Sequence, residues 1–387
     1  MSKTFCILAR EIFTPYKRLE NGFIVVEDGM IKDVGSRGKF AGTGMEILDF
    51  SDCIVAPGLI DIHIHGIAGR NTMDAKTESI REMAKALATH GVTSFSPTLE
   101  AAPLDVLKKS LKAIASVREN VIGAKIVGVN LEGPFLSTEK PGAMKIEYIR
   151  PPSIEEFDEL YDASQRTVKL TTIAPEQPKA IEVIRYISSL GVTVSMGHTN
   201  ATYEKAIEAI KAGATHVTHL FNAMRVFQHR EPGVIGAVLE NPDVSIELIT
   251  DLVHIHPAVI KLIYRVKPIE RIVTVTDSVL ADVPRGAHRF WEYDVIVRDD
   301  VAVLPDGTLF GSVLALDKAL HNLVFKVGIP MRDALTTMTI APARVIKLEK
   351  EIGSIEKGKR ADLIIMDQKL NILKTFINGK LIYDKKS

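Results

Sequence analysis

The sequence predicts an α/β fold: a (β/α)8 barrel of the TIM type, with a small β-sandwich domain built from both chain ends. Three observations carry this prediction. Eight short apolar strand segments recur between residues 57 and 276, and helical segments lie between them. The two ends, 1–56 and 347–387, read instead as short strands joined by hairpin turns. Metal-type side chains stand where many of the central strands end, which is where a parallel barrel keeps its working residues.

The elements follow in chain order. Phe23-Ile24-Val25-Val26 leads through Glu27-Asp28-Gly29 into Met30-Ile31, and Asp-Gly between two apolar runs is a hairpin signal. Gly35, Gly38, Gly42 and Gly44 mark turns, and Ile47–Phe50 and Cys53–Val55 are further strand candidates. From Pro57 the texture changes. The eight strands are read at 57–66, 92–96, 126–131, 168–173, 192–196, 216–220, 244–249 and 272–276. Segment 78–90 places Ile80, Met83, Ala84 and Leu87 at helical spacing before Gly91, and 203–212 does the same with Ala206, Ile207 and Ile210 before Gly213. Residues 283–311 break the pattern with strand-like Asp294–Val297 and Val301–Leu304, read as a hairpin insertion near the barrel mouth. Helices return at 312–328 and 331–346. Leu363–Met366, Thr375–Ile377 and Lys380–Tyr383 are strands again, the last two joined by Asn378-Gly379. The expected division is therefore 1–56 plus 347–387 as the small domain and 57–346 as the barrel. An open doubly wound sheet fits less well, because no Gly-x-Gly-x-x-Gly turn follows the first strand.

Composition narrows the function classes. The 387 residues are long enough for one large domain or two smaller ones. Lys+Arg and Asp+Glu both number 48, so no polyanion partner is indicated and nucleic acid is not expected. No apolar run approaches the roughly 20 residues of a membrane span, and the apolar run near the N-terminus is too short for a signal peptide. Cys6 and Cys53 cannot make a disulfide framework, so the reading is a cytoplasmic protein with two buried thiols.

The candidate chemistry collects at strand ends. His63 and His65 are two apart on the first strand, so both leave by one face. Such a pair suits a divalent metal such as zinc or iron, and is equally compatible with two ordinary hydrogen-bonded histidines. Glu132 ends the third strand, His198 the fifth, and His216, His219 and Asn222 lie on and after the sixth. Asp251, His254 and His256 follow the seventh, and Asp277 the eighth. Each alone has a bland alternative in a core histidine or a helix-capping carboxylate. Together they are the equipment of a metal hydrolase.

Pro57-Gly-Leu-Ile-Asp-Ile-His-Ile-His-Gly resembles the opening motif of the amidohydrolase superfamily. Asn130-Leu-Glu-Gly-Pro-Phe, Gly197-His-Thr-Asn-Ala-Thr-Tyr, Thr218-His-Leu-Phe-Asn-Ala-Met, Arg230-Glu-Pro-Gly and Val275-Thr-Asp resemble the N-acetylglucosamine-6-phosphate deacetylases within it. The resemblance runs nearly end to end. It implies hydrolysis of the acetamide of a phosphorylated amino sugar to acetate and glucosamine 6-phosphate. It implies one or two divalent metal ions per subunit, the main one held by Glu132, His198 and His219. A second would be held by His63 and His65 with Glu132 between the ions. His216 is left structural. Asp277 is implied as general base and then acid toward a water held at the metal. Asn222, the backbone of Ala223, Arg230 and His254 are implied contacts of the phosphorylated sugar, joined by Ala143, Met144, Leu309, Phe310 and Gly311. A homodimer is implied as well.

The chain departs from the family pattern in places. Met144 stands where the family commonly has histidine, and a thioether cannot donate a hydrogen bond. Leu252 follows Asp251 where a glycine is frequent. The run after Asp277 is unusual, and Phe310 is bulky for a substrate loop. These bear on the sugar more than on the reaction. A deacetylase for N-acetylgalactosamine 6-phosphate or another N-acyl compound on the same scaffold, and a catalytically silent scaffold, are the alternatives. Dihydroorotase-like and hydantoinase-like enzymes fit less well, because they usually bridge their metals with a lysine on strand 4.

Overall fold

A computed structural model describes residues 4–385 except 15, 41 and 43. The outermost ends of the expected small domain, 1–3 and 386–387, therefore lie outside the described residues. Eight parallel strands form the central barrel. They are strand 1 (Leu59–Ile64), strand 2 (Val92–Glu100), strand 3 (Val129–Glu132), strand 4 (Val168–Ile173), strand 5 (Thr193–Met196), strand 6 (Ala214–Val217), strand 7 (Ser245–Ile249) and strand 8 (Ile272–Val275). The sheet closes where Asp277 N donates to His63 O at 2.9 Å and His65 N to Ser278 O at 2.8 Å.

Local chemistry builds the helices around it. Thr77–Thr89 buries Ile80, Met83, Ala84 and Leu87, and Gly91 follows at φ +76°, a left-handed turn that suits glycine. Tyr203–Ala212 is capped by the Thr202 hydroxyl, which accepts from Lys205 N at 3.3 Å, and ends on Gly213 at φ +118°. One continuous apolar core joins strands and helices, including Ile62, Phe95, Leu131, Ile173, Ile246 and Leu335.

Both chain ends contribute to one seven-stranded mixed sheet, ordered Lys380–Asp384, Ile372–Ile377, Leu363–Met366, Glu46–Pro57, Thr4–Phe13, Arg18–Glu27, Met30–Ser36. The turn at Gly29 meets Ala361, whose N donates to Gly29 O at 2.8 Å, so the sheet curls over a shared core of Phe5, Ile7, Ile24, Val55, Leu363 and Phe376. Its other face is shared between the barrel, through Ile54, Ala56, Ile364 and Met366, and a patch of Cys6, Leu8, Phe23 and Val25. Both cysteines are buried and unpaired. No helix among the described residues is long and apolar enough to cross a membrane.

Several boundaries differ from expectation. Strand 2 runs on through Pro97 to Glu100 rather than stopping at Ser96. Proline there removes an amide donor, and the pairing with strand 1 shifts register at this point to accommodate it. The insertion holds three antiparallel strands, Gly286–Phe290, Tyr293–Arg298 and Val301–Val303, not a single hairpin. The helix expected at 312–328 is a short helix, Leu316–His321, continued as a wider turn over Asn322–Val327. The next is interrupted at Thr339, giving Met331–Met338 and Ile340–Val345.

Candidate metal centre and active site

Strand alternation turns Asp61, His63 and His65 to the barrel interior, while Ile60, Ile62 and Ile64 face the helices. All six are buried. Asp61 ties strand 1 to strand 8 by accepting from the Thr276 hydroxyl at 2.6 Å. Glu132 is the last residue of strand 3. His198, His219 and Asp277 each stand two residues past a strand, at φ +46°, +28° and +47°. Left-handed backbone at three such non-glycine positions is strain held by the surrounding structure, a pattern that marks functional sites.

These side chains converge. Glu132 divides its carboxylate: Oε1 lies 3.1 Å from His198 Nε2 and 2.7 Å from His219 Nε2. Oε2 lies 3.0 Å from His65 Nε2 and 3.4 Å from His63 Nε2. Asp277 Oδ1 is 3.4 Å and 3.3 Å from the Nε2 atoms of His63 and His65. Two groups of potential ligand atoms result, His63–His65–Glu132–Asp277 and Glu132–His198–His219, sharing Glu132.

The donor set fits a divalent cation. His63 Nδ1 donates to Glu247 at 2.9 Å and His198 Nδ1 to the Lys140 carbonyl at 3.1 Å, leaving both Nε2 lone pairs pointing inward. Nε2 faces Nε2 at 3.3 Å between His63 and His65, and at 3.2 Å between His198 and His219. Such facing nitrogens are satisfied by a shared cation or by extra protons. Gly142, at φ +60°, lets the 140–144 loop lie against His198, since a Cβ there would come within 3.0 Å of His198 Cε1.

Electrostatics report the same crowding. Burial penalises every charge at the site, and the neighbours outweigh it. For Glu132, His63 and the hydrogen bonds from His198 and His219 overcome desolvation and hold the carboxyl well below the usual range. For His63, Glu132, Glu247 and Asp277 overcome desolvation and hold the ring well above the imidazole range. His65 is raised against desolvation to about 9 by Asp277 and Glu132. Asp277 is lowered, since His63 and His65 outweigh burial and the nearby Glu132. Glu100 behaves in the opposite way. Burial pushes its carboxyl up to about 8, with Glu132 and Asp277 adding to the effect against His65.

Above the cluster lies a cavity of about 250 Å³ that opens to solvent. His65, Glu132, His198, His219 and Asp277 form its floor, and Ala143, Met144, Leu309, Phe310 and Gly311 its walls. Asn222, Ala223 and His254 line it as well, and His254 Nδ1 is held 2.6 Å from Asp251. His63 sits beneath, fully buried. Arg230 is apart: it is exposed and does not line the cavity, because the Gln228–Glu231 turn carries it to the surface. His216 is outside the ligand groups and contacts Ser245 and Glu247. His256 caps the helix Pro257–Val266 by accepting from Ala258 N at 3.2 Å.

Glu100 and Glu247 are buried acids beside the ligand groups that the sequence motifs do not mark. Glu100 lines the cavity at the end of strand 2, and its Oε1 has no hydrogen-bond partner among the described residues. Glu247 lies inside strand 7. A lone acid in a buried apolar strand is the signal that marks it.

Comparison with known proteins agrees with this architecture. Residues 54–382 match the Amidohydrolase family. The chain is 33% identical to N-acetylglucosamine-6-phosphate deacetylase of Bacillus subtilis, covering 100% of this chain and 99% of that protein. It is 32% identical to N-acetylgalactosamine-6-phosphate deacetylase of Escherichia coli O157:H7, covering 98% and 99%. Among solved structures, N-acetyl-D-glucosamine-6-phosphate deacetylase of Mycobacterium smegmatis in complex with N-acetyl-D-glucosamine-6-phosphate superposes with a TM-score of 0.92 at 30% identity, over 98% of this chain and 99% of that one. With its barrel, its strand-end ligand groups and this match over most of its length, the chain belongs to the amidohydrolase family.

Proposed function

We propose that this chain hydrolyses the acetamide of N-acetylglucosamine 6-phosphate, giving glucosamine 6-phosphate and acetate. The observation that carries the reading is Glu132 dividing its two oxygens between two histidine pairs at the floor of the cavity, with Asp277 beside one pair. Glu132, His198 and His219 would hold one divalent ion, and His63 and His65, sharing Glu132, a second; imidazole and carboxylate ligands suit zinc or iron. When bound, the metal supplies Lewis acidity toward the amide carbonyl and acidifies water.

The protein's own groups do the rest. Asp277 holds its Oδ1 3.4 Å and 3.3 Å from the Nε2 atoms of His63 and His65, at the floor of the cavity, so it can accept a proton from the water that attacks the acyl carbon. It delivers that proton to the amide nitrogen as the C–N bond breaks, which regenerates the carboxylate. Met144, Phe310 and Leu309 enclose the acyl and sugar carbons, and Asn222, Ala223 and His254 contact the polar end of the substrate. We read the enzyme as cytoplasmic, consistent with two buried unpaired thiols. We also read it as a homodimer in which the exposed loop of Arg230 meets a second copy, and there supplies a guanidinium for phosphate. Val226 and Phe227 on that loop are 67% and 50% exposed, which supports a covered surface.

Acetate release from the two N-acetylhexosamine 6-phosphates tests the function. Preference for the glucosamine epimer is expected. Preference for the galactosamine epimer would favour the second reading, which the E. coli O157:H7 relative supports. No acetate from either would sink both. Mass in solution and the effect of Arg230→Ala on KM test the dimer.

A further inference from the structure

Glu247 touches both ligand groups without belonging to either. It is fully buried within strand 7. Its Oε2 accepts from His63 Nδ1 at 2.9 Å and from the main-chain N of His219 at 3.1 Å. Its Oε1 accepts from His216 Nε2 at 3.1 Å, and His216 Nδ1 meets Ser245 Oγ at 3.0 Å. Ser245 Oγ in turn donates to the Thr215 carbonyl at 3.1 Å. A chain of hydrogen bonds therefore runs from His63 down the barrel interior, with Glu247 at its branch point.

We propose that Glu247 is a positioning residue for both metal-ligand groups, and that His216 serves it by fixing its second oxygen. The geometry supplies the reason. A carboxylate accepting from Nδ1 fixes the His63 tautomer and ring, and aims Nε2 at Glu132 and Asp277. The same oxygen holds the His219 amide where the chain turns left-handed at φ +28°, a conformation that nothing in the residue itself favours. Two imidazole donors and one amide surround the two carboxylate oxygens, so the buried charge is matched by hydrogen bonds. Glu247 and His216 need not touch substrate or metal. They act through His63 and His219.

The proposal rests on the metal reading above, and the test separates the two. Full-length wild type, Glu247→Gln, His216→Leu and His216→Gln are loaded with zinc, and affinity is measured by competition with a chromophoric chelator. Cobalt-substituted samples provide a visible spectrum of the ligand geometry. Loss of an outer-shell partner of this kind lowers metal affinity by about 10–100-fold. That loss is expected for Glu247→Gln, together with an altered cobalt spectrum. His216→Leu should move the same way, and His216→Gln, whose amide can still donate to Oε1, should recover toward wild type. Zinc affinity within about twofold of wild type and an unchanged cobalt spectrum in Glu247→Gln would overturn the proposal. If Glu247→Gln does not fold, identical affinities and spectra for wild type and both His216 variants overturn it instead. A merely structural role would lower the melting temperature of the metal-free protein and leave affinity and spectrum alone. Failure of wild type itself to retain zinc would overturn the metal reading, and this proposal with it.

Discussion

Glu132 and His219 make the shortest contact within the two groups of potential ligand atoms, 2.7 Å from Oε1 to Nε2. The His198 ring stands 3.1 Å from that same oxygen, whereas His63 and His65 look to the other one. The two halves of the centre are thus separable by mutation. His198→Ala or His219→Ala should lower kcat/KM by at least about 10³-fold, on the scale of losing a central catalytic element. The double variant His63→Ala/His65→Ala should reduce metal per subunit yet leave some bound. Elemental analysis beside kinetics checks this, and full metal retention in the double variant would contradict the division.

On the proposed reading, Asp277 moves protons while the histidines and Glu132 hold the metal. Asp277→Asn keeps the shape and removes the base. A fall in kcat of about 10²–10⁴-fold is expected, with KM little changed. Metal content should stay near wild type, because four imidazoles and Glu132 remain. A drop in metal content as large as the drop in kcat would assign Asp277 to ligation and not to proton transfer.

Residue type and period made much of this site legible in the sequence. The two-residue spacing of His63 and His65 on an apolar strand already placed both rings on one face, and the structure has them 3.3 Å apart. Glu132, His198, His219 and Asp277 were legible as ligand types at strand ends, sharpened by motif resemblance. Glu100 was hidden because Pro97 reads as the end of strand 2, although the strand continues. Glu247 is marked in the sequence only as a lone acid in an apolar strand, and its partners His63 and His216 lie on two other strands that the local pattern does not report. Strand Thr4–Phe13 was not singled out for a related reason. Phe5 and Ile7 serve one core and Cys6 and Leu8 another, so both faces are apolar and the alternation vanishes.

Met144 lines the cavity with Glu100 and packs with Leu136 and with Ala101, the residue after Glu100. Its thioether offers the acetamide an apolar contact and no hydrogen-bond donor. Met144→His introduces a donor on this wall, and kcat/KM on N-acetylglucosamine 6-phosphate should change by about tenfold or more, the weight of one hydrogen bond to a reacting group. An unchanged kcat/KM would show that the position does not matter to the reaction.

His90 provides a pH signature of stability away from the active site. Its Nε2 is 2.7 Å from Asp282 and its Nδ1 3.0 Å from Asp317. Desolvation opposes the charged ring, but these two carboxylates outweigh it and raise the pKa to about 10. A pKa raised on folding adds stability that is fully present below about pH 6.5, the unfolded value, and is lost as pH rises through the folded value. With Asp282 41% exposed, solvent screening limits the contribution to about 1–2 kcal/mol. His90→Gln should therefore be less stable than wild type at pH 6, and the gap should narrow steadily toward pH 10. Denaturant unfolding of both proteins at pH 6, 8 and 10 measures it. A gap that stays constant across this range would mean that His90 stabilises by packing alone and not as a cation between two aspartates.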